Sequence, residues 1–289
     1  MKTGIIDVGG GFRGIYGAGV FDALMDAGVT FDYCIGVSAG SANIASYLAK
    51  QRGRNFLFYS DYVFRKDYIS FNNLITKKNY LDLDYVYGTL ANTGGDYPLD
   101  YQTLSQSSAR FTIVTCNALT GKTVYLDKSD LSQDHYDAFK ASSCLPVACE
   151  PYFIHGIPYY DGGLADPVPV AKAFADGCDC VVLVLTKPAA TIRDPKTDRI
   201  PARLLRHTYP LAAMRLEKRA ATYNAGIRLA KRYAKQKKLL IVAPDTCYKL
   251  KSPVDRDKKS LELLYKEGYR DAQAIPGFLD WKQRTAKTA

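Results

Sequence analysis

The pentapeptide Gly36-Val37-Ser38-Ala39-Gly40 constrains this chain most, because it sets a serine between two glycines where the hydrophobic pattern changes period. Before it, Thr30-Phe31-Asp32-Tyr33-Cys34-Ile35 reads as a short buried strand, and after it Ser41 to Lys50 reads as a helix. A serine on so sharp a strand-to-helix turn is held in strained backbone with its hydroxyl pushed outward. Residues two before and two after it must be tiny for strand and helix to pass each other. The helix N-terminus adds backbone N–H groups and partial positive charge. Ser38 therefore reads as a nucleophile on an elbow formed by Gly36, Val37 and Gly40. The competing reading is a Gly-rich turn whose serine caps the next helix.

The strand before the elbow is one of several. Gly4 to Val8, Phe111 to Cys116 and Val181 to Leu185 are near-continuous apolar runs, and Ile15 to Gly28 between the first two strands reads as a helix. Such runs joined by helices predict a mostly parallel sheet covered on both faces, a three-layer α/β/α architecture. With 289 residues the chain is long enough for one large core or a core with an extension. No apolar run approaches the ~18 residues of a membrane span, and the N-terminus enters a strand without a signal-peptide pattern. Seven cysteines without zinc-like spacing fit a reducing compartment, so a cytoplasmic location is expected.

Directly after the first strand, Gly9-Gly10-Gly11-Phe12-Arg13-Gly14 opens the first helix. Successive glycines expose a row of N–H groups that can hold an oxyanion or a phosphate. Gly9-x-Gly11-x-x-Gly14 also matches a dinucleotide fingerprint, giving a non-enzymatic phosphate- or nucleotide-binding module as an alternative. That fingerprint requires an acidic residue at the end of the second strand, where this chain has Gly36-Val37-Ser38. First and second parallel strands are usually neighbours, so the glycine loop can aim its N–H groups at a carbonyl attacked by Ser38. The N–H of Ala39 is a further donor.

The base is less plain. His135, His155 and His207 are the three histidines, and Ser38, Asp161 and His207 formally follow the α/β-hydrolase order. Against that triad, Ser38 follows only the second strand and His207 lies among basic residues. Asp161 ends a short aromatic strand ahead of Gly162 and Gly163. Burial would raise its pKa and let it accept the serine proton. Asp-Gly-Gly alone is equally a turn.

Three separated motifs, Gly9 to Gly14, Gly36 to Gly40 and Asp161-Gly162-Gly163, resemble those of the patatin-like phospholipase family in type, order and spacing. Ala141-Ser142-Ser143-Cys144-Leu145-Pro146 resembles that family's stretch ahead of its aspartate. The resemblance covers residues 4–186, taken as the catalytic domain. It implies a Ser38–Asp161 dyad without histidine, with Ser38 as nucleophile and Asp161 as base. It further implies an oxyanion-hole loop of Gly9, Gly10, Gly11, Arg13 and Gly14, lipid acyl esters as substrates, and neither metal nor cofactor.

Residues 187–289 lie outside the resemblance and are expected to form a basic, mainly helical C-terminal extension. They hold 25 Lys and Arg against 10 Asp and Glu, whereas residues 1–186 hold 14 against 19. A helix over 202–238 is predicted, with Leu216, Ala220, Tyr223, Ile227, Ala230 and Ala234 forming an apolar stripe. Strand 239–243, a helix near 258–271 and a polar tail follow. The basic helix near 215–238 either approaches anionic membranes or packs its stripe inward and solvates its charges; no nucleic-acid partner is expected. The aromatic stretch 53–110, including Tyr59, Tyr68 and Tyr87, either walls an acyl pocket or serves as ordinary core.

Overall fold

The computed structural model describes residues 1–287. Its strands are Thr3–Asp7 (β1), Tyr33–Val37 (β2), Arg110–Asn117 (β3), Thr123–Asp127 (β4), Tyr152–Ile154 (β5), Ile157–Asp161 (β6), Cys180–Val184 (β7) and Leu239–Val242 (β8). They form one sheet in the order β5-β6-β3-β2-β1-β7-β8, with β4 also paired to β3. The run β3-β2-β1-β7-β8 is parallel, and β4, β5 and β6 are antiparallel at one edge. The apolar runs read as parallel strands thus form the centre of the sheet.

Helices cover both faces: Ile15–Asp26 (α1), Ala39–Leu48 (α2), Arg54–Ser60 (α3), Phe71–Lys77 (α4), Tyr101–Gln106 (α5), Asp137–Ser143 (α6), Val170–Ala175 (α7), Arg199–Leu205 (α8), Pro210–Lys235 (α9), Lys258–Asp271 (α10) and Ala274–Lys287 (α11). Side-chain alternation along the strands divides the core. Ile5, Cys34, Phe111 and Val182 pack with Ile15, Ile44 and Leu264 on one face. Ile6, Ile35, Val181 and Leu183 pack with Val170, Tyr223 and Ile227 on the other. The architecture is three-layer α/β/α, with a mostly parallel central sheet.

The basic stretch adds β8 beside β7, and α10 packs along α1. There Tyr16, Tyr265 and Tyr269 donate hydroxyl hydrogen bonds to Asp271, Asp22 and Asp26. The apolar stripe of α9 is turned inward: Leu216, Ala220, Tyr223, Ile227 and Ala230 are buried, whereas Lys218, Arg228, Lys231 and Lys235 are exposed. Two local readings change. The helix expected over 202–238 is two helices, α8 and α9, because Pro210 starts a new helix where its missing N–H costs nothing. The expected polar tail is α11, whose Ile275 and Leu279 are buried one helical turn apart. Among the described residues no helix is long and apolar enough to cross a membrane.

Candidate active site

β2 ends at Val37 and α2 begins at Ala39, so Ser38 alone makes the turn, with φ 56° and ψ −134°. A side-chain-bearing residue in that region carries strain of about 1–3 kcal/mol and persists only where its surroundings over-determine it. Here the Ser38 N–H donates to Ser142 Oγ at 2.9 Å, and its carbonyl accepts from Ser41 N at 2.9 Å and Ser41 Oγ at 2.7 Å. The flanking glycines are sterically required. A Cβ on Gly36 would lie 2.4 Å from Ser41 Cα, and one on Gly40 would lie 2.3 Å from the Asp7 carbonyl oxygen.

Register brings Asp161 to this turn. β3 pairs with β2 at Val37↔Val114 and with β6 at Thr115↔Asp161. Residues 123 apart in sequence therefore meet at one end of the sheet. The Asp161 carboxyl is buried, and its Oδ1 accepts the Gly163 N–H at 2.7 Å. Gly162 beside it lies so close to β3 that a Cβ would stand 2.2 Å from the Val114 carbonyl oxygen. Burial pushes the Asp161 pKa above the ordinary carboxylate range. The Ser38 hydroxyl, the Gly163 N–H and the charges of Arg219 and Arg193 oppose that rise.

The glycine loop lies against the elbow. Gly9, Gly10 and Gly11 all have positive φ, and a Cβ on Gly9 would come within 2.3 Å of the Val37 carbonyl oxygen and 3.0 Å of the Ala39 nitrogen. The Gly9 N–H is bound by Asp7 Oδ1 at 2.8 Å, and the Phe12 N–H by the Pro253 carbonyl at 2.8 Å. Among the described residues the N–H groups of Gly10, Gly11 and Ala39 have no hydrogen-bond partner. Arg13 is buried and donates to the carbonyls of Leu250 and Lys251 at 3.2 and 3.1 Å, which ties residues 250–254 over the glycine loop. At Gly14 the carbonyl accepts from Asn43 Nδ2 at 2.8 Å.

A cavity of about 50 Å³ opens on Ser38, walled by Tyr59, Tyr68, Leu81, Leu83 and Tyr87. Three aromatic residues of the stretch 53–110, Tyr59, Tyr68 and Tyr87, therefore face the site, whereas Phe58 and Tyr62 belong to the buried core and Phe64 and Phe71 are exposed. His135, His155 and His207 are all exposed; His155 occupies the turn between β5 and β6, and none of the three lines this cavity. A triad through His207 has no geometric support.

A family model for patatin-like phospholipase matches residues 8–174, more than half of the chain. The chain belongs to the patatin-like phospholipase family. That family is one of lipid acyl hydrolases. Over 200 residues this patatin-like chain is 28% identical to the uncharacterized protein YjjU of Escherichia coli (strain K12), covering 68% of this chain. It spans about half of that relative, 55% of its length. Among solved structures, VipD from Legionella pneumophila aligns with 96% of this chain and 67% of its own, at 14% identity and a TM-score of 0.47.

Three residues of this patatin-like site escape a sequence reading. Ser142 Oγ accepts the Ser38 N–H and donates to the Val114 carbonyl at 2.7 Å, joining elbow, β3 and α6. Ser142 lies in the stretch whose resemblance was noted ahead of Asp161, but its hydrogen bonds could not be read, since its partners are remote in sequence. Asp7 had a visible signal, a carboxylate ending an otherwise apolar strand. It is fully buried, holds Gly9, and accepts from Asn43 Nδ2 at 2.9 Å. Burial pushes its pKa up to about 6 against the opposing bonds from Asn43 and Gly9. Asn43 in turn accepts from the Tyr59 hydroxyl at 3.3 Å, which links the glycine loop to the cavity wall.

Proposed function

We propose that this protein is a serine acyl hydrolase that cleaves carboxylic esters of lipids through a Ser38–Asp161 dyad. The observation that carries the reading is a strained serine lining a cavity beside a buried carboxyl, with unengaged N–H groups next to it. Asp161 takes the hydroxyl proton as Ser38 Oγ attacks the ester carbonyl. The raised pKa of a buried carboxylate makes it a better acceptor than a solvated one. The tetrahedral oxyanion then receives N–H donors from Gly10, Gly11 and Ala39, each contributing ~10²–10³ in rate. Asp161 returns the proton to the leaving alcohol, giving an acyl-enzyme on Ser38. It next activates the water that releases the fatty acid.

The apolar wall of Tyr59, Tyr68, Leu81 and Leu83 suits an acyl chain better than a sugar or peptide. The resting cavity is narrow, so chain entry requires the wall to part. The exposed cations of α9 support a peripheral contact with anionic lipid, each contributing about 1 kcal/mol near such a surface. The direct test is hydrolysis of a chromogenic acyl ester and a phospholipid by wild type, Ser38→Ala and Asp161→Asn. We expect both variants to lose ~10²-fold or more of kcat while keeping their fold. Wild-type rates in either variant would refute the dyad.

A further inference from the structure

The segment between Ile69 and Leu81 stands away from the sheet as a closed excursion. An antiparallel bridge joins Ile69 to Leu81, and at its base Ser70 N–H donates to the Tyr80 carbonyl at 3.2 Å and Asp82 N–H to the Tyr68 carbonyl at 3.0 Å. Its tip is α4, and that helix is built inside out. The buried residue is polar: Asn73 donates its side-chain amide to the Asp67 carbonyl at 3.0 Å, and its N–H is capped by Ser70 Oγ at 3.2 Å. The residues turned to water are apolar. Phe71 is 73% exposed, Leu74 38% and Ile75 81%, and their i, i+3, i+4 spacing sets them on one face. A surface helix of a globular protein has the opposite polarity.

The base of the excursion belongs to the cavity already described. Tyr68, Leu81 and Leu83 wall it, and the Tyr80 N–H donates to the Ala148 carbonyl at 2.7 Å. That bond brings up the turn bearing Val147, which is half exposed with φ 71°. The Phe71 ring meets Tyr80 at 5.3 Å between centroids, and Leu81, next in the chain, lines the cavity, so apolar side chains lead from α4 to the site. Two of the cations beside the patch have acidic partners: Lys77 pairs with buried Asp82, and Lys78 lies 3.7 Å from Glu150.

We propose that α4 is the element by which this protein docks on a lipid surface, with Phe71, Leu74 and Ile75 entering the acyl layer. This rests on the lipid-ester reading above and identifies the surface from which the substrate is drawn. Two features favour a lipid layer over a protein. The apolar face of α4 consists of three side chains, Phe71, Leu74 and Ile75, few against the roughly 20–30 residues that each partner contributes to a stable protein interface. It also adjoins, through Tyr80 and Leu81, the wall that would take the acyl chain. Because the docking residues are apolar, docking through α4 requires neither anionic lipid nor low salt. Docking through the cations of α9 requires both.

The experiment uses the 289-residue chain carrying Ser38→Ala, which consumes no lipid, with phosphatidylcholine vesicles at high salt. We expect it to co-sediment with the vesicles, and Phe71→Ser with Ile75→Ser in the same background to cut that partition by about tenfold or more. In the active enzyme the same pair should cut hydrolysis of vesicle lipid in proportion, yet leave a water-soluble short-chain ester within about twofold of wild type. Failure to bind phosphatidylcholine vesicles overturns the proposal, as does undiminished binding by the double variant. Equal losses on both substrates would also overturn it, as would a dimer that the double variant dissociates. An enzyme that binds vesicles through α4 but hydrolyses no ester would defeat the dyad reading while leaving the docking element intact.

Discussion

Replacing Ser142 by alanine should damage stability and activity together, although Ser142 touches no substrate. Its hydroxyl sits in a fully buried position between two backbone groups, the Ser38 N–H at 2.9 Å and the Val114 carbonyl at 2.7 Å. Alanine leaves both groups without a partner. Orphaning a buried donor or acceptor costs about 1–3 kcal/mol each, so a loss near 3 kcal/mol is expected. The second consequence is local. Ser38 holds a positive φ that costs about 1–3 kcal/mol, and the Ser142 bond is one of three that keep it there. Released, the elbow relaxes and displaces the nucleophile, and a displacement of that kind can cost ~10²-fold in kcat. Urea denaturation gives the first quantity and turnover of a short-chain ester the second. A Ser142→Ala protein within about 0.5 kcal/mol of wild type, with unchanged kcat, would refute the claim that this hydroxyl holds the elbow.

Other outcomes follow from the same geometry. Gly40→Ala should prevent the elbow from forming, because the new Cβ would stand 2.3 Å from the Asp7 carbonyl oxygen; near-wild-type ester turnover would contradict this. Asp7 gives a pH signature. Its native pKa is about 6, against about 3.9 unfolded, so the native state holds the extra proton between these values. Its contribution to stability is full below about pH 4 and is lost as pH rises through 6, a change of about 3 kcal/mol. Denaturation midpoints across this range should show that slope in wild type and not in Asp7→Asn. Replacing His135, His155 and His207 together should leave ester turnover within about twofold, since all three are exposed and none lines the cavity.

The legibility of the site followed the range of its causes. The elbow is local: two glycines, a serine and a change of hydrophobic period are all present within residues 30–50, so its geometry could be read directly. The parallel sheet was equally legible, because strands buried on both faces leave continuous apolar runs. Asp161 was legible as a candidate only, since its meeting with Ser38 depends on β3 pairing with both β2 and β6. Ser142 stood in a stretch marked by resemblance, but its role was not legible for the same reason, as both its partners arrive by tertiary packing. The tail failed through composition. Lys282, Arg284 and Lys287 mask the buried pair Ile275 and Leu279, which become evident only at helical spacing. In α4 the pattern is readable but its direction is not. Phe71, Leu74 and Ile75 mark one face of a helix, and sequence alone assigns that face to the core.

The dyad is tested most directly by reaction with a fluorophosphonate probe, which requires an activated serine but no lipid. We expect wild type to carry one adduct, on the peptide containing Ser38. We expect Asp161→Asn to react ~10²-fold more slowly with its fold retained, and the triple histidine variant to react at the wild-type rate. An adduct on another serine, or wild-type labelling in Asp161→Asn, would contradict the pairing of Ser38 with Asp161.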